Sequence, residues 1–424
     1  MFTGDTRADS ILAWLIGSRS TLVDVAQSDS LVVVKSSKPT FEFAAFVDLL
    51  NRLAPVVGVP THIEIDLSEV HFFAPSGMVP LVALIDDLVA RGWQIEVAPP
   101  TDPGLQDYWA KAGWTAAIRG EVAPELLSNS TFTPIASYRD SEELNDRLNT
   151  LMDVLAKVSE FEPGLLSAIS WTVSELADNV LNHSGGATGW IQIIARPNRH
   201  RVEVVVADCG LGVRETLRER FPDIADDTGA LRLAIEAGIT GSAEGQGNGL
   251  AGSVRIAQAV HGWFNILSGT ANLRLFADGT FRDLIAAPFQ GTVVTMTWPT
   301  EASIDVIEAL WGHRPGAPFE FTHVTDEGIL FKLSEEATGF GNRGTGKELA
   351  TKLRNIMADF PDERVVIDFE NVEVASASFL DEFLAKIIKG EGVTSFFSRF
   401  QFRNMSDFVR RTADEVIQQR LSQK

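Results

Sequence analysis

The chain has 424 residues, more than one ordinary hydrophobic core accommodates, so its length predicts several domains. Its net charge of −21, from 57 acidic and 36 basic residues, argues against a protein that binds nucleic acid by neutralising phosphates. No apolar run approaches the roughly 20 residues that span a bilayer, and a single cysteine, Cys209, excludes an internal disulfide framework. These features predict a cytoplasmic protein without a membrane segment.

Residues 1–125 alternate strand and helix patterns, which is typical of a small α/β layered domain. The segment HIEIDL (62–67) alternates apolar and polar side chains, as a half-buried strand does. Strands are predicted at Leu31–Val34, His62–Leu67 and Gln94–Val97, and helices at Phe41–Leu53 and Val79–Ala90.

Residues 121–137 are rich in proline, serine, threonine and asparagine, a composition typical of a linker. A second domain is expected at 138–302. Helices are predicted there at Glu142–Glu160, Leu165–His183 and Leu250–Val260, and strands at Gly189–Ala195, Val202–Ala207 and Thr292–Trp298.

A third domain, expected at 315–424, repeats the rhythm of the first. The segments 62–78 and 364–380 each contain an apolar strand that ends in aspartate, then a valine, then a serine-containing turn into a helix. This similarity indicates a weak internal repeat. Strands are predicted at Gly328–Leu333 and Arg364–Phe369, and helices at Lys347–Met357 and Phe379–Ile388.

The second predicted helix of the middle domain carries three polar residues in a row. Glu175, Asn179 and His183 follow one another at intervals of four, so their side chains lie close to one helix face. A carboxylate, an amide and an imidazole in this arrangement fit either a polar binding site or a solvated helix surface. This segment alone leaves both interpretations open.

Two glycine-rich turns follow this helix. An apolar strand runs into Asp208, Gly210 and Gly212, where the acid can accept a hydrogen bond from an exocyclic amine and the glycines let backbone approach a flat ligand. The second turn, GQGNGL (245–250), precedes a helix, and the N–H groups and dipole at a helix N-terminus favour phosphate. The order of the three features is much more specific than any one of them.

Together these features resemble the GHKL ATPase superfamily, which includes gyrase, heat-shock chaperone ATPases, histidine kinases and anti-sigma serine kinases. The resemblance covers about residues 140–300. It implies an α/β multi-domain protein with a central two-layer α/β sandwich of the GHKL type. The N box is matched by Glu175, Asn179 and His183, the first glycine box by Asp208, Gly210 and Gly212, the second by Gly245, Gly247 and Gly249, and the closing GT pair by Gly291 and Thr292.

The resemblance also implies ligands and residue roles. ATP and Mg²⁺ are the expected cofactors, and Val213–Glu244 is the expected ATP lid. On the helix, the implied roles are Glu175 as general base, Asn179 as Mg²⁺ ligand and His183 lining the pocket. Asp208, Gly210, Gly212 and Thr292 would lie near the adenine. The phosphates would be held by Gly245, Gly247, Asn248, Gly249 and Leu250.

The two outer domains resemble STAS domains, which occur beside GHKL ATPases. The C-terminal resemblance is carried by Gly341, Arg343, the strand Val365–Phe369 and the segment Ser376–Glu382, and the N-terminal one, which is looser, by 65–78. In STAS domains the serine turn after the aspartate-ending strand is contacted, and sometimes phosphorylated, by a partner kinase. The central domain is therefore expected to lie between two small STAS-like α/β domains.

Ser76, Ser376 and Ser378 occupy such turns, and the alternative is that they cap the following helix. For Ser378, Asp381 and Glu382 favour the cap, because acids stabilise a first helical turn and repel an added phosphate.

The segment Gly341–Lys347 matches the G-x-x-x-x-G-K pattern of a phosphate-binding loop. Such a loop requires serine or threonine next, and Glu348 stands there instead. We interpret this segment as a glycine-rich loop that enters a helix.

Two functions remain open from the sequence. The first is an ATP-dependent regulatory switch that hydrolyses ATP slowly and couples lid closure to the STAS-like domains, with a protein partner or a homodimer formed through them. The second is a serine/threonine kinase of the anti-sigma type that acts on a STAS-like partner. A third, a scaffold that only binds nucleotide, is disfavoured because it needs no base at Glu175.

Overall fold

The computed structural model describes residues 27–28, 31–36, 39–53, 62–121, 133–236, 249–276, 281–310, 324–325, 328–337, 339–361 and 363–422. Within these ranges the chain has a mixed α/β architecture, with a separate main sheet in each of its N-terminal, central and C-terminal parts.

The N-terminal sheet has the strand order β1-β2-β4-β6, in which β2, β4 and β6 are parallel and β1 is antiparallel to β2. A short parallel pair, β3 and β5, lies beside it. The strands are β1 (Gln27–Ser28), β2 (Leu31–Lys35), β3 (Thr40–Phe41), β4 (His62–Asp66), β5 (Phe72–Phe73) and β6 (Gln94–Ala98), and the helices are α1 (Phe43–Leu53), α2 (Pro75–Ala90), α3 (Pro103–Lys111) and α4 (Trp114–Ile118).

The central sheet is antiparallel throughout and has the order β10-β11-β9-β8-β7. Its strands are β7 (Ala136–Tyr138), β8 (Gly189–Arg196), β9 (Arg201–Asp208), β10 (Trp263–Leu275) and β11 (Phe281–Pro299). The helices are α5 (Ser141–Val158), α6 (Leu165–His183), α7 (Val213–Arg218), α8 (Asp227–Ala234), α9 (Gly249–Ala259) and α10 (Val306–Ala309). The bounds predicted for α6 are confirmed.

The C-terminal sheet has the order β12-β13-β14-β15, with β13, β14 and β15 parallel and β12 antiparallel to β13. The strands are β12 (Val324–Thr325), β13 (Gly328–Lys332), β14 (Val365–Asp368) and β15 (Phe400–Arg403). The helices are α11 (Leu333–Glu336), α12 (Arg343–Asp359), α13 (Ala377–Leu380), a π-helical turn (Asp381–Ala385), α14 (Lys386–Glu391), α15 (Val393–Arg399) and α16 (Asp407–Ser422).

Both faces of the central sheet are buried. Along β9, Val204 and Val206 belong to the core formed with α5 and α6, whereas Val205 and Ala207 belong to the core of the N-terminal domain. A strand buried on both faces has no polar alternation, which explains the continuous apolar run at the end of β9. Helices α1 and α2 of the N-terminal domain cover the face opposite α5 and α6.

One fully buried amide joins the N-terminal and central domains. The Gln192 side chain on β8 accepts the Trp114 indole N–H at 2.8 Å and donates to the carbonyls of Ala112 at 3.2 Å and Thr133 at 2.9 Å. The prediction of a linker up to residue 137 is therefore wrong at its end. Residues 133–135 are buried against this amide, and β7 is already a strand of the central sheet.

The predicted internal repeat has a structural counterpart. The N-terminal and C-terminal sheets share one topology, an antiparallel first strand followed by a parallel trio with a helix at each crossover. The serine-containing turns also lie at equivalent helix starts, since Ala74 is the N-cap of α2 and Ser376 is the N-cap of α13. A similar succession of elements thus occurs on both sides of the central domain.

Candidate nucleotide site

Helix α6 presents the polar row predicted from its sequence. Glu175, Asn179 and His183 are all half-buried, while the residues on the opposite side of the helix are in the core. Because the row lies at the boundary between core and solvent, its side chains can reach a ligand held beside the helix. The buried residues beside the row include Leu176 and Val180, and Trp171 continues the row one turn before Glu175 as a buried side chain.

The first residue of α9, Gly249, lies directly against Glu175. A Cβ atom at Gly249 would overlap the Glu175 carboxylate, and three residues further on a Cβ at Gly252 would overlap the Trp171 ring. Glycine at these two positions therefore lets the N-terminal turn of α9 approach α6 closely. The predicted helix start after the second glycine turn is confirmed. Gly249 and Leu250 are its first two residues, whereas Gly245, Gly247 and Asn248 lie outside the described residues.

Asp208 is the last residue of β9 and is only 3% exposed. Its Oδ1 accepts the Gly210 N–H at 2.8 Å. Burial raises the pKa of this carboxyl to about 7, and backbone hydrogen bonds from Gly210 and Thr292 limit the rise. The group is therefore close to half ionised at neutral pH, and a further donor would favour its charged form.

The Gly291–Thr292 pair supports Asp208 from the neighbouring strand. Thr292 is in register with Asp208 across the β9–β11 ladder. Gly291 has a φ of 107° and lies so close to the Asp208 carbonyl that a Cβ atom would overlap it. Only glycine fits this position, which gives the sequence pair a physical reason.

The first glycine turn is attached to the end of α6. The Leu211 N–H donates to the Ser184 carbonyl at 2.9 Å, directly after His183. The Thr216 hydroxyl on α7 donates to the carbonyls of His183 at 3.2 Å and Gly212 at 2.9 Å. The structure thus brings the adenine-side candidates and the polar helix row to one place.

His183 is the last residue of α6, and burial lowers the pKa of its imidazole. The neutral ring is favoured at pH 7, which is compatible with the expected pocket-lining position.

The described part of the expected lid is attached to β10. The Asp227 carboxylate at the start of α8 accepts the Thr270 N–H at 2.8 Å and the Thr270 hydroxyl at 2.9 Å. The Ser268 hydroxyl accepts the Val213 N–H at 2.9 Å and donates to the Gly291 carbonyl at 2.7 Å. Residues 213–236 therefore pack on the sheet, and residues 237–244 of the expected lid lie outside the described residues.

Sequence reasoning missed Tyr138, which lies beneath the site. Its side chain is fully buried, and its hydroxyl donates to the Ala177 carbonyl of α6 at 3.3 Å. Burial raises the pKa of this phenol, and the negative charges of Asp208 and Asp178 raise it further. A single tyrosine at the end of an apparent linker gives no sequence signal for this position.

The candidates in the C-terminal domain behave as helix starts. Asn342 is the N-cap of α12 and accepts the Thr345 N–H at 2.9 Å, so the residues up to Lys347 are already helical. Ser376 caps α13 by accepting the Phe379 N–H at 3.1 Å. Ser378 is the exposed second residue of α13, so the expectation that it caps the helix is wrong. The segment Gly341–Lys347 does enter a helix, but α12 begins at Arg343, four residues before the predicted start at Lys347.

Ser76, the N-terminal candidate, lies in an interface. It is 8% exposed, and its N–H donates to the Glu203 carboxylate of β9 at 3.1 Å. A partner kinase has no direct access to this serine in the folded chain.

Comparison with known families agrees with this geometry. Residues 166–302 match the family described as histidine kinase-, DNA gyrase B- and HSP90-like ATPase, and residues 346–410 match a STAS-like domain of unknown function. The chain therefore contains a GHKL ATPase domain followed by a STAS-like domain. No curated protein matches the chain.

No helix in the ranges given above is long and apolar enough to cross a bilayer. The same ranges contain no group of three or more histidine, cysteine, aspartate or glutamate side chains placed to hold a metal ion.

Proposed function

We propose that this protein is an Mg-ATP-dependent regulatory switch. Its GHKL domain binds ATP and hydrolyses it slowly, and closure of the lid changes how the two outer domains are held. The observation that carries the proposal is the burial of both faces of the ATPase sheet, one by helices α5 and α6 and the other by α1 and α2. A conformational change in the site therefore acts on packed interfaces rather than on a flexible tether.

The residues present fit an adenine nucleotide. Asp208 is a buried carboxylate, and a hydrogen-bond donor would stabilise its charged form. The amino group of adenine is such a donor. Thr292 lies beside Asp208 and would contact the same base. His183 would line the pocket as a neutral imidazole.

The phosphate end is formed by the N-terminus of α9, which lies against Glu175. N–H groups at this helix start, together with Gly245, Gly247 and Asn248, would hold the phosphates. Mg²⁺ supplies charge neutralisation when bound, and the amide oxygen of Asn179 is a ligand type that it accepts. Glu175 would orient the attacking water and take its proton.

The domain limits follow the same proposal: 1–125, 138–302 and 315–424. The shared topology of the two outer sheets supports a STAS-like assignment for the N-terminal domain as well. Such domains provide surfaces for a protein partner or for a second copy of the chain. Together with the single cysteine, the acidic charge supports a cytoplasmic protein that does not bind nucleic acid.

The test uses the full chain with Mg-ATP labelled at the γ-phosphate, and follows free phosphate and protein-bound label together. Slow release of phosphate that is lost in Glu175→Ala and Asn179→Ala supports the switch. Label transferred to protein in trans supports instead the serine/threonine kinase, for which Ser378 is an exposed candidate. Absence of ATP binding by the wild type would exclude both.

A further inference from the structure

The N-terminus of helix α6 is completed by another domain. Its N-cap residue, Gly164, has a φ of 78° and no side chain that could accept a backbone N–H. The first N–H groups of a helix lack intrahelical acceptors, and a side-chain oxygen commonly satisfies one of them. Here the oxygen comes from Asp359, the last residue of α12 in the C-terminal domain.

The contact is bidentate. Asp359 Oδ1 accepts the Gly164 N–H at 2.9 Å, and Oδ2 accepts the Ser167 hydroxyl at 2.6 Å. A carboxylate at this point also faces the positive end of the α6 dipole. Burial raises the pKa of Asp359, and hydrogen bonds from Ser167 and Gly164 oppose the rise, so the desolvated group depends on these donors.

Asn355, one turn earlier on α12, holds the connection that leads into α6. Its amide nitrogen donates to the carbonyls of Ala156 at 2.7 Å and Ser159 at 2.8 Å, and its oxygen accepts the Phe161 N–H at 3.0 Å. The side chain is only 3% exposed, and all three bonds cross between domains. A buried amide that is satisfied only by one partner geometry fixes that geometry.

The next turn of α12 adds a buried ion cluster. Lys352 is 4% exposed and its ammonium contacts the carboxylates of Asp153 on α5 and Glu336 on α11. Lys157 donates to the other oxygen of Asp153 at 2.8 Å. Polar contacts at successive turns thus hold one face of α12 in a single position against α5, the start of α6 and the connection between them.

The capped end of α6 is rigidly connected to the ATP site. At 1.5 Å per residue, Ser167 lies about 12 Å from Glu175 and about 18 Å from Asn179 along the helix. The other end of α6 is held by the bond between Leu211 and Ser184. A shift of the capped end therefore reaches the polar row instead of being absorbed by a loop.

We propose that Asp359 is a positioning residue of the ATP site, which caps α6 from the STAS-like domain and thereby holds Glu175 and Asn179 in place for nucleotide. The inference rests on the proposed function. It identifies α12 as the element whose displacement from α6 alters nucleotide binding.

The test compares four variants of the full chain: Asp359→Ala, Asp359→Asn, Ser167→Ala and Phe331→Leu. Two quantities are measured, the amide hydrogen exchange of peptides from α6 without nucleotide and the Kd for Mg-ATP. Asp359→Ala is expected to accelerate exchange over the first turns of α6 and to raise the Kd about 5- to 20-fold. Ser167→Ala should shift both quantities in the same direction by a smaller factor.

Asp359→Asn is the rescue variant, because its oxygen can still accept from Gly164 and its amide can donate to the Ser167 oxygen. It is expected to restore values close to wild type. Phe331→Leu is the control for general destabilisation, since Phe331 is a buried side chain of β13 that stacks on Phe383 with ring centroids 6.0 Å apart. It should leave α6 exchange and the Kd unchanged.

Two results would overturn the inference while leaving the proposed function intact. One is wild-type exchange and affinity in Asp359→Ala. The other is the same change in Phe331→Leu as in Asp359→Ala. A wild-type chain that binds no Mg-ATP would overturn the proposed function and this inference together.

Discussion

Asp66 and Asp368 make the same local contact in two different domains. Each is the last residue of the middle strand of a parallel trio, and each carboxylate accepts the N–H two residues further on, from Ser68 at 2.9 Å and from Glu370 at 2.9 Å. Both turns then close with a backbone bond from a valine, Val70 or Val372. This agreement in detail supports the proposed STAS-like assignment of the N-terminal domain.

Replacement of Asp208 by asparagine is expected to stabilise the nucleotide-free protein in a pH-dependent way. The pKa of Asp208 is raised to about 7, above that of an unfolded carboxyl, so the native state binds more protons and ionisation costs stability as pH rises from about 4 to 7. Asp208→Asn removes this cost, by roughly 1–3 kcal/mol above pH 7, and should change little near pH 4. Thermal unfolding of wild type and Asp208→Asn at several pH values measures the difference in stability. An equal increase in stability at all pH values would contradict the prediction.

The affinity for ATP is expected to rise with pH through the same range. An adenine amino group favours the ionised Asp208, so binding lowers the pKa of this carboxyl and releases a proton near pH 7. Affinity should increase about tenfold between pH 6 and pH 8 beyond any change due to the nucleotide itself. Calorimetry in buffers of different ionisation enthalpy measures the number of protons released when ATP binds. Asp208→Asn should bind ATP more weakly and release no proton from this position.

Gly249→Ala is expected to impair turnover without unfolding the chain. The added methyl group would overlap the Glu175 carboxylate, which can move away because it ends a flexible side chain. Hydrolysis of ATP should fall by about tenfold or more, because a displaced base loses its alignment. The matched control is Gly390→Ala, since that glycine has open space around its Cβ position. Equal turnover in both variants would count against the role of Glu175.

Gln192→Ala should be strongly destabilising. It leaves the Trp114 indole and the carbonyls of Ala112 and Thr133 without their buried partner, at a cost of about 3 kcal/mol. Urea unfolding of the full chain gives the free energy. Gln94→Ala, at an exposed position on β6, is the control and should change it by less than about 0.5 kcal/mol. A similar loss in both would show that the amide is not a special contact.

The sequence predicted the elements of the site well because they have strong local signals. Helix α6 has a long pattern of apolar and polar residues, and its predicted bounds agree with the structure. The start of α9 follows from its glycines, and the end of β9 from an apolar run that meets an acid. Periodicity and glycine placement are properties of a short segment, so a single sequence contains them.

The contacts between residues far apart in the chain could not be predicted in this way. Tyr138 lies in a strand of three residues within a polar stretch, and tertiary pairing with β8 decides its structure. The Asp359 cap joins residues almost two hundred positions apart. Such contacts depend on which surfaces meet, and no local pattern in one sequence records that.

The double burial of the central sheet has a practical consequence for dissecting this protein. A fragment limited to residues 138–302 would leave Trp190, Val205 and Val293 facing water where α1 and α2 now cover them. A contiguous apolar surface of this kind promotes association between fragments. The proposed ATPase activity is therefore to be measured in the whole chain, because an excised ATPase domain is expected to self-associate.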